Sequence, residues 1–193
     1  MFKSISSFNQ VELLPNSLLV FDIDETIMSF EDIDETWWKK TFDKYYEQTQ
    51  DYDMADELSL REWVDHISNS KPKVLDEFNF IFLVELAKQN DCEIIMLTAR
   101  RKFLFDITIS HLAHCKVDID SDSVYFNENK GTELLNIVTN KYPNISNIIF
   151  IDDIEHNLIN VANTFAPYNK YTLDLYKINH HTTKTDSDEP LEG

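Results

Sequence analysis

The chain has 193 residues, 42% hydrophobic and 12% aromatic, and sets 35 Asp and Glu against 17 Lys and Arg for a formal net charge of -18. That length and apolar content suit one folded domain with room for an inserted subdomain, while a field of that sign repels nucleic acid and acidic membranes. The only glycines are Gly131 and Gly193, which excludes the glycine-rich loops that cradle dinucleotides or nucleoside triphosphates.

In chain order, residues 1–16 (MFKSISSFNQVELLPN) lack the unbroken apolar core of a signal peptide, and no later run reaches the ~20 apolar residues of a membrane span. The expectation is a cytoplasmic protein, or one delivered to a host cell without a cleaved signal. Residues 18–21 (LLVF) read as a first buried strand. Residues 22–92 then separate it from the next strand, where one helix would suffice, so an insertion is expected. Within it, Trp37, Thr41 and Tyr45 with Trp38, Phe42 and Tyr46 mark one aromatic helix face, and Leu60, Trp63, Val64 and Ile67 mark another. A helix over about 74–89 returns the chain to the sheet.

Three more strands are predicted at 93–97, 123–126 and 147–151, alternating with helical patterns at 102–112, 132–141 and 154–165. That alternation implies right-handed βαβ units and a parallel sheet, with ligands at the carboxyl ends of the strands. Cys92 and Cys115 have no metal-ligand spacing and read as free thiols in apolar segments, which fits a reducing compartment. His111 and His114 read as structural histidines. Residues 179–193 are polar and acidic and are expected to form a disordered tail or linker.

Just past the predicted strands stand Asp22 and Asp24, then Thr98, then Lys130, then Asp152 and Asp153. Singly, each has a bland reading as a turn, a cap or a solvated side chain. Together and in this order they supply carboxylates, a hydroxyl and a fixed cation, the groups that phosphoryl transfer requires. Arg100, Arg101 and Lys102 follow Thr98 and read either as a substrate clamp at the site mouth or as a solvated helix start.

The segments DIDET at 22–26, LTAR at 97–100, Lys130-Gly131 and FIDD at 150–153 resemble the four motifs of the haloacid dehalogenase (HAD) superfamily. The resemblance implies a Rossmann-like three-layer α/β sandwich with a parallel central sheet: a core of residues 1–30 and 75–178, and a small helical cap over 31–74. The span from Thr98 to Lys130 is too short for the large second cap that other members carry. Asn157 stands where a third acidic residue of the fourth motif would be expected. By the same resemblance, Asp22 is the nucleophile of a phosphatase acting through an aspartyl-phosphate, and Asp24 its general acid and base. Thr98 and Lys130 bind the substrate phosphate. Beside the resemblance, Arg100 is a candidate to join them, and Asp22 and Asp152 are expected to ligate Mg²⁺ directly, with the backbone carbonyl of Asp24 a third ligand and Asp153 helping through water. The narrower branch it resembles is that of capped phosphatase domains in bacterial effector proteins, some acting on phosphotyrosine, with a phosphoprotein as partner. A small-molecule phosphatase acting on nucleotides or sugar phosphates, and a catalytically silent binding module, are the alternatives.

The physics agrees with such a kit. A phosphate monoester is a dianion, so a carboxylate can attack it only where cations neutralise the site, and Mg²⁺ takes carboxylate and phosphate oxygens. The string DIDET occurs a second time at 32–36, but after Ser29-Phe30-Glu31 and before a helical pattern. There Asp32 and Glu35 match a helix-capping box. Asp22→Asn is therefore expected to abolish turnover of an aryl phosphate, and Asp32→Asn to lower only the thermal midpoint; loss of turnover in both, with the fold intact, would place the second copy in the active site.

Overall fold

The computed structural model describes residues 1–31, 33 and 35–180, the Glu35 side chain excepted. The elements run β1 (Lys3–Ile5), β2 (Ser17–Phe21), β3 (Met28–Ser29), α1 (Glu35–Thr49), α2 (Tyr52–Asn69), β4 (Lys73–Val74) and α3 (Glu77–Gln89). They continue with β5 (Glu93–Thr98), α4 (Phe105–His114), β6 (Val124–Phe126), α5 (Lys130–Asn140), β7 (Asn147–Asp152), α6 (Glu155–Phe165) and β8 (Thr172–Ile178).

Among the described residues, six strands form one sheet in the order β1-β8-β7-β2-β5-β6, and every pairing in it is parallel. Because side chains alternate across a strand, β2 feeds two cores at once. Leu19 and Phe21 join Ile149, Ile151 and Met96 against Phe80 and Leu83 of α3 and Leu112 of α4. Leu18 and Val20 join Ile148, Phe150 and Ile95 against Leu134 and Val138 of α5 and Leu158 and Val161 of α6. The result is the α/β three-layer sandwich, Rossmann-like, with β2 at its centre. Consecutive strands β2, β5 and β6 step one way from β2, and β7 returns to its other side. The crevice between β2 and β7 is thus the switch point, where open α/β sheets bind ligands.

Two strands of this sheet are additional to the four that the apolar runs predict. β8 alternates in TLDLYKI and lies between β7 and β1, and β1 is only three residues long. The segment after Leu175 therefore continues as strand to Ile178. Beyond it the Asn179 amide donates to the Ile5 carbonyl at 2.9 Å, and a His180 ring nitrogen lies 2.8 Å from the Thr26 carbonyl oxygen. The remainder of the expected tail, from 181 onward, lies outside the described residues, as do Asp32 and the capping role expected of it.

Between β3 and β4, which pair antiparallel, α1 and α2 form a hairpin. The Tyr45 hydroxyl and the Lys44 ammonium both donate to Glu62, at 2.6 and 2.7 Å, across that hairpin. Cys92 is half-buried, Cys115 is buried, and both are free thiols.

Where α5 meets α6 the backbones come so close that glycine is required. A Cβ on Gly131 would lie 2.4 Å from Thr164 Oγ1 and 2.7 Å from the Asn160 carbonyl oxygen. The Gly131 amide donates to Asn160 Oδ1 at 2.6 Å, which fixes the first turn of α5 and so the base of Lys130. Gly131→Ala should lower stability by roughly 1–3 kcal/mol, the usual range for overpacking; an unchanged thermal midpoint would contradict this contact.

Candidate active site

β2 ends in Phe21, and the Asp22 amide still donates to the Ile151 carbonyl of β7 at 2.9 Å. The Asp22 carboxylate is thereby held at the sheet's edge, 5% exposed. The chain then turns sharply: the Ile27 and Met28 amides both donate back to the Ile23 carbonyl, and Glu25 takes a left-handed conformation with φ 55°. Such a conformation costs a non-glycine residue on the order of 1 kcal/mol or more and persists only where the surroundings impose it. Here it returns the buried Thr26 hydroxyl to the site, 3.3 Å from both Asp22 Oδ2 and Asp153 Oδ1, where it also accepts from the Asp153 amide at 3.1 Å.

Lys130 opens α5 and its ammonium is 1% exposed. It donates to Asp22 Oδ1 at 2.5 Å and to Asp152 Oδ2 at 2.7 Å. Burial opposes its charge, but the two carboxylates outweigh that and hold its pKa above the ordinary lysine value. Asp152, the last residue of β7, is fully buried and further accepts from the Ile154 amide at 2.8 Å and from Asn157 Nδ2 at 3.0 and 3.1 Å. Asn157, standing where an acid would be expected, therefore acts as a donor that fixes Asp152.

Asp22, Asp152 and Asp153 present oxygens that all lie within 4.8 Å of one another. One ammonium against three carboxylates leaves negative charge unbalanced, and the carboxyls register it. Burial, with Asp152 and Asp24 adding and Lys130 opposing, pushes Asp22 up from 3.8 to about 7. Burial, then Asp22 and Asp152, pushes Asp153 to about 8. A cluster of hard oxygen donors with surplus negative charge fits a divalent cation. Of the three, Asp152 has the most donors already on it, so Asp22 and Asp153 are the freer ligands.

Asp24 lies apart from that cluster. Its two oxygens accept from Arg100, Nε to Oδ2 at 2.8 Å and Nη2 to Oδ1 at 2.6 Å. Arg100 is buried, which fits neither of the two readings its sequence position left open, an exposed clamp at the site mouth or a solvated helix start. Its side chain is 1% exposed, and its remaining nitrogen, Nη1, donates to Thr108 at 3.1 Å and lies 3.3 Å from His111 Nδ1. His111 is accordingly neutral, lowered to about 4 by burial and by the Arg100 charge. At the surface, Arg101 pairs with Asp56 of α2 at 3.3 Å. Thr98 ends β5, the strand beside β2, and is 1% exposed; its hydroxyl accepts from the Arg100 amide at 3.1 Å. Thr26, Asn157 and the Thr108–His111 seat of Arg100 were not assigned site roles by the motifs; Thr26, inside DIDET, and Asn157, at the fourth motif's third acidic position, carried a local signal, and Thr108 and His111 did not.

A protein-family model described as a protein of unknown function (DUF2608) matches residues 2–128, about two thirds of the chain. The chain belongs to this family. The match takes in Asp22, Asp24, Thr98 and Arg100 and ends before Lys130. No curated protein matches the sequence. Among solved structures, the HAD domain of the effector protein Lem4 from Legionella pneumophila, an inactive mutant, is similar at 13% identity and a TM-score of 0.50, over 89% of each chain. The class C acid phosphatase from Bacillus anthracis is similar at 14% identity and a TM-score of 0.49, over 90% of this chain and 69% of that one. At 13% identity, the likeness to the Lem4 domain shows the fold, which is HAD-like. No described helix is long and apolar enough to cross a membrane.

The raised carboxyls set a pH dependence. Between about pH 4 and about pH 8 the metal-free folded state keeps protons that the unfolded chain has released, so these groups contribute less stability as pH rises. Asp153→Asn removes one of them, and in chelator its stability relative to wild type should grow steadily across that window. A difference that stays constant with pH, read from denaturant unfolding, would contradict the electrostatics described.

Proposed function

We propose that the protein is a metal-dependent phosphate monoester hydrolase that works through an aspartyl-phosphate on Asp22. The observation that carries this reading is the buried Asp22 carboxylate, locked by its amide to β7 and bonded to the Lys130 ammonium, beside a second acidic pair. No structural ion pair requires three carboxylates around one lysine, whereas attack on a phosphate dianion requires an oriented carboxylate in a site that cations can neutralise.

Asp22 attacks phosphorus and the leaving oxygen departs with a proton from Asp24; water then hydrolyses the acyl phosphate, its proton returning to Asp24. Lys130 holds Asp22 in line and offsets the incoming charge, and the Thr98 hydroxyl binds a phosphate oxygen. Mg²⁺, held by Asp22 and Asp153 with the Asp24 carbonyl and Asp152 supporting, would supply charge neutralisation at the transferring phosphoryl group. Asp22 and Asp24 suit unlike roles because their surroundings differ, one buried among carboxylates and lysine and the other partly exposed on arginine.

For the substrate, the α1–α2 hairpin stands as a small cap, and a phosphorylated protein side chain suits a site that a large lid does not enclose. Of the aromatic residues on α1, Tyr45 is engaged with Glu62, and Tyr46 stacks on Phe42. Trp63 of α2 is the cap aromatic that reaches Arg100, 5.6 Å from the ring centroid. This supports an aryl phosphate, phosphotyrosine, as the preferred class. Hydrolysis of p-nitrophenyl phosphate should require Mg²⁺, disappear with chelator, and fall by about three orders of magnitude or more in Asp22→Asn. In a substrate panel, phosphotyrosine peptides should exceed phosphoserine peptides, nucleotides and sugar phosphates. Equal turnover of all would favour a small-molecule phosphatase, and absence of any metal-dependent turnover a binding module.

A further inference from the structure

Resting on the phosphatase reading, we propose that Arg100 is a positioning residue for Asp24, and that it ties the placement of Asp24 to the docking of α2. A partly exposed carboxylate needs no buried arginine to stay in solution, yet both Asp24 oxygens are gripped by a guanidinium fork whose side chain is only 1% exposed. All three guanidinium nitrogens are used, two on Asp24 and the third on Thr108 and toward His111. Its faces are used as well. The guanidinium carbon lies 5.8 Å from the Phe30 ring centroid and 5.6 Å from that of Trp63. Phe30 in turn packs against His111 with centroids 5.0 Å apart, and His111 meets the Ile67 backbone of α2.

Arg100 is thus seated by α4 beneath and by the chain entering and forming the hairpin above, and its fork aims one side chain. A planar fork that matches a carboxylate bidentately fixes direction as well as distance, which lysine cannot do. With each oxygen accepting one bond of the fork, a lone pair on each stays free to share a proton with a leaving-group oxygen in the direction the fork sets, and α2, through Trp63, bears on that direction. A substrate side chain that moves Trp63 would therefore shift the fork and, with it, the direction of Asp24.

The test is the dependence of rate on the leaving group, which a merely structural arginine would not change. Correctly placed general acids contribute about 10²–10⁴-fold, and that help matters most for poor leaving groups. Arg100→Gln and Arg100→Lys should therefore lower kcat/KM for phenyl phosphate by about 100-fold, and for p-nitrophenyl phosphate by a clearly smaller factor. Trp63→Ala should show the same skew with a smaller amplitude, and serves where an arginine variant folds poorly. Losses of equal size for both esters in all three variants would overturn the inference while leaving the phosphatase reading intact. Inactivity of the wild-type protein toward both esters would overturn the phosphatase reading, and this inference with it.

Discussion

Everything at the carboxyl end of the sheet depends on one buried ammonium. Lys130 bridges Asp22, which follows β2, and Asp152, which ends β7. Neither carboxylate has enough water around it to be charged alone, and removing one partner from such a buried cluster typically costs several kcal/mol. The lysine in turn has a defined origin. It opens α5 just where Gly131 lets that helix lie against α6, and Asn129 caps the same helix by accepting from the Thr132 amide. Helix packing on one face of the sheet thus sets the position of a charge at its edge.

The first turn after β2 then divides labour between two carboxylates only two residues apart. The left-handed Glu25 turns the chain so that Thr26 falls back onto Asp22 and Asp153, while Asp24 points to Arg100. Asp22 is surrounded by acids and one lysine, in an environment that invites a metal ion. Asp24 faces an arginine and the hairpin. A single strand end delivers both side chains, and apart from Thr26 the partners that distinguish them, Lys130, Asp152, Asp153 and Arg100, come from distant parts of the chain.

That distance explains what the sequence displayed and what it hid. LLVF, EIIML and NIIFI are continuous apolar runs, as expected for parallel strands buried on both faces, and the residues directly beyond them could be read as a site. β1 and β8 were not legible because three residues, or an alternating heptad, become a strand only through pairing with β7 and with each other. Arg100 shows the same limit in a single residue. Its neighbours Arg101 and Lys102 are exposed, and nothing local marks it as the member of the basic trio that is buried; the cause is Asp24, 76 positions away. Asn157 looked like a missing acid and is a donor that immobilises Asp152. In the second DIDET, the surrounding residues rather than the pentapeptide itself distinguish it from the first, since only the two-residue β3 precedes it and no strand of the central sheet does.

The central claim is that Asp22 carries the phosphoryl group. It is tested most directly by quenching the wild-type protein during turnover of an aryl phosphate, reducing with borohydride, and locating the product by mass spectrometry. An aspartyl-phosphate is reduced to homoserine, and the account predicts homoserine at position 22 and at no other aspartate. Steady turnover with Asp22 unmodified, or homoserine at Asp24, Asp152 or Asp153 instead, would contradict it.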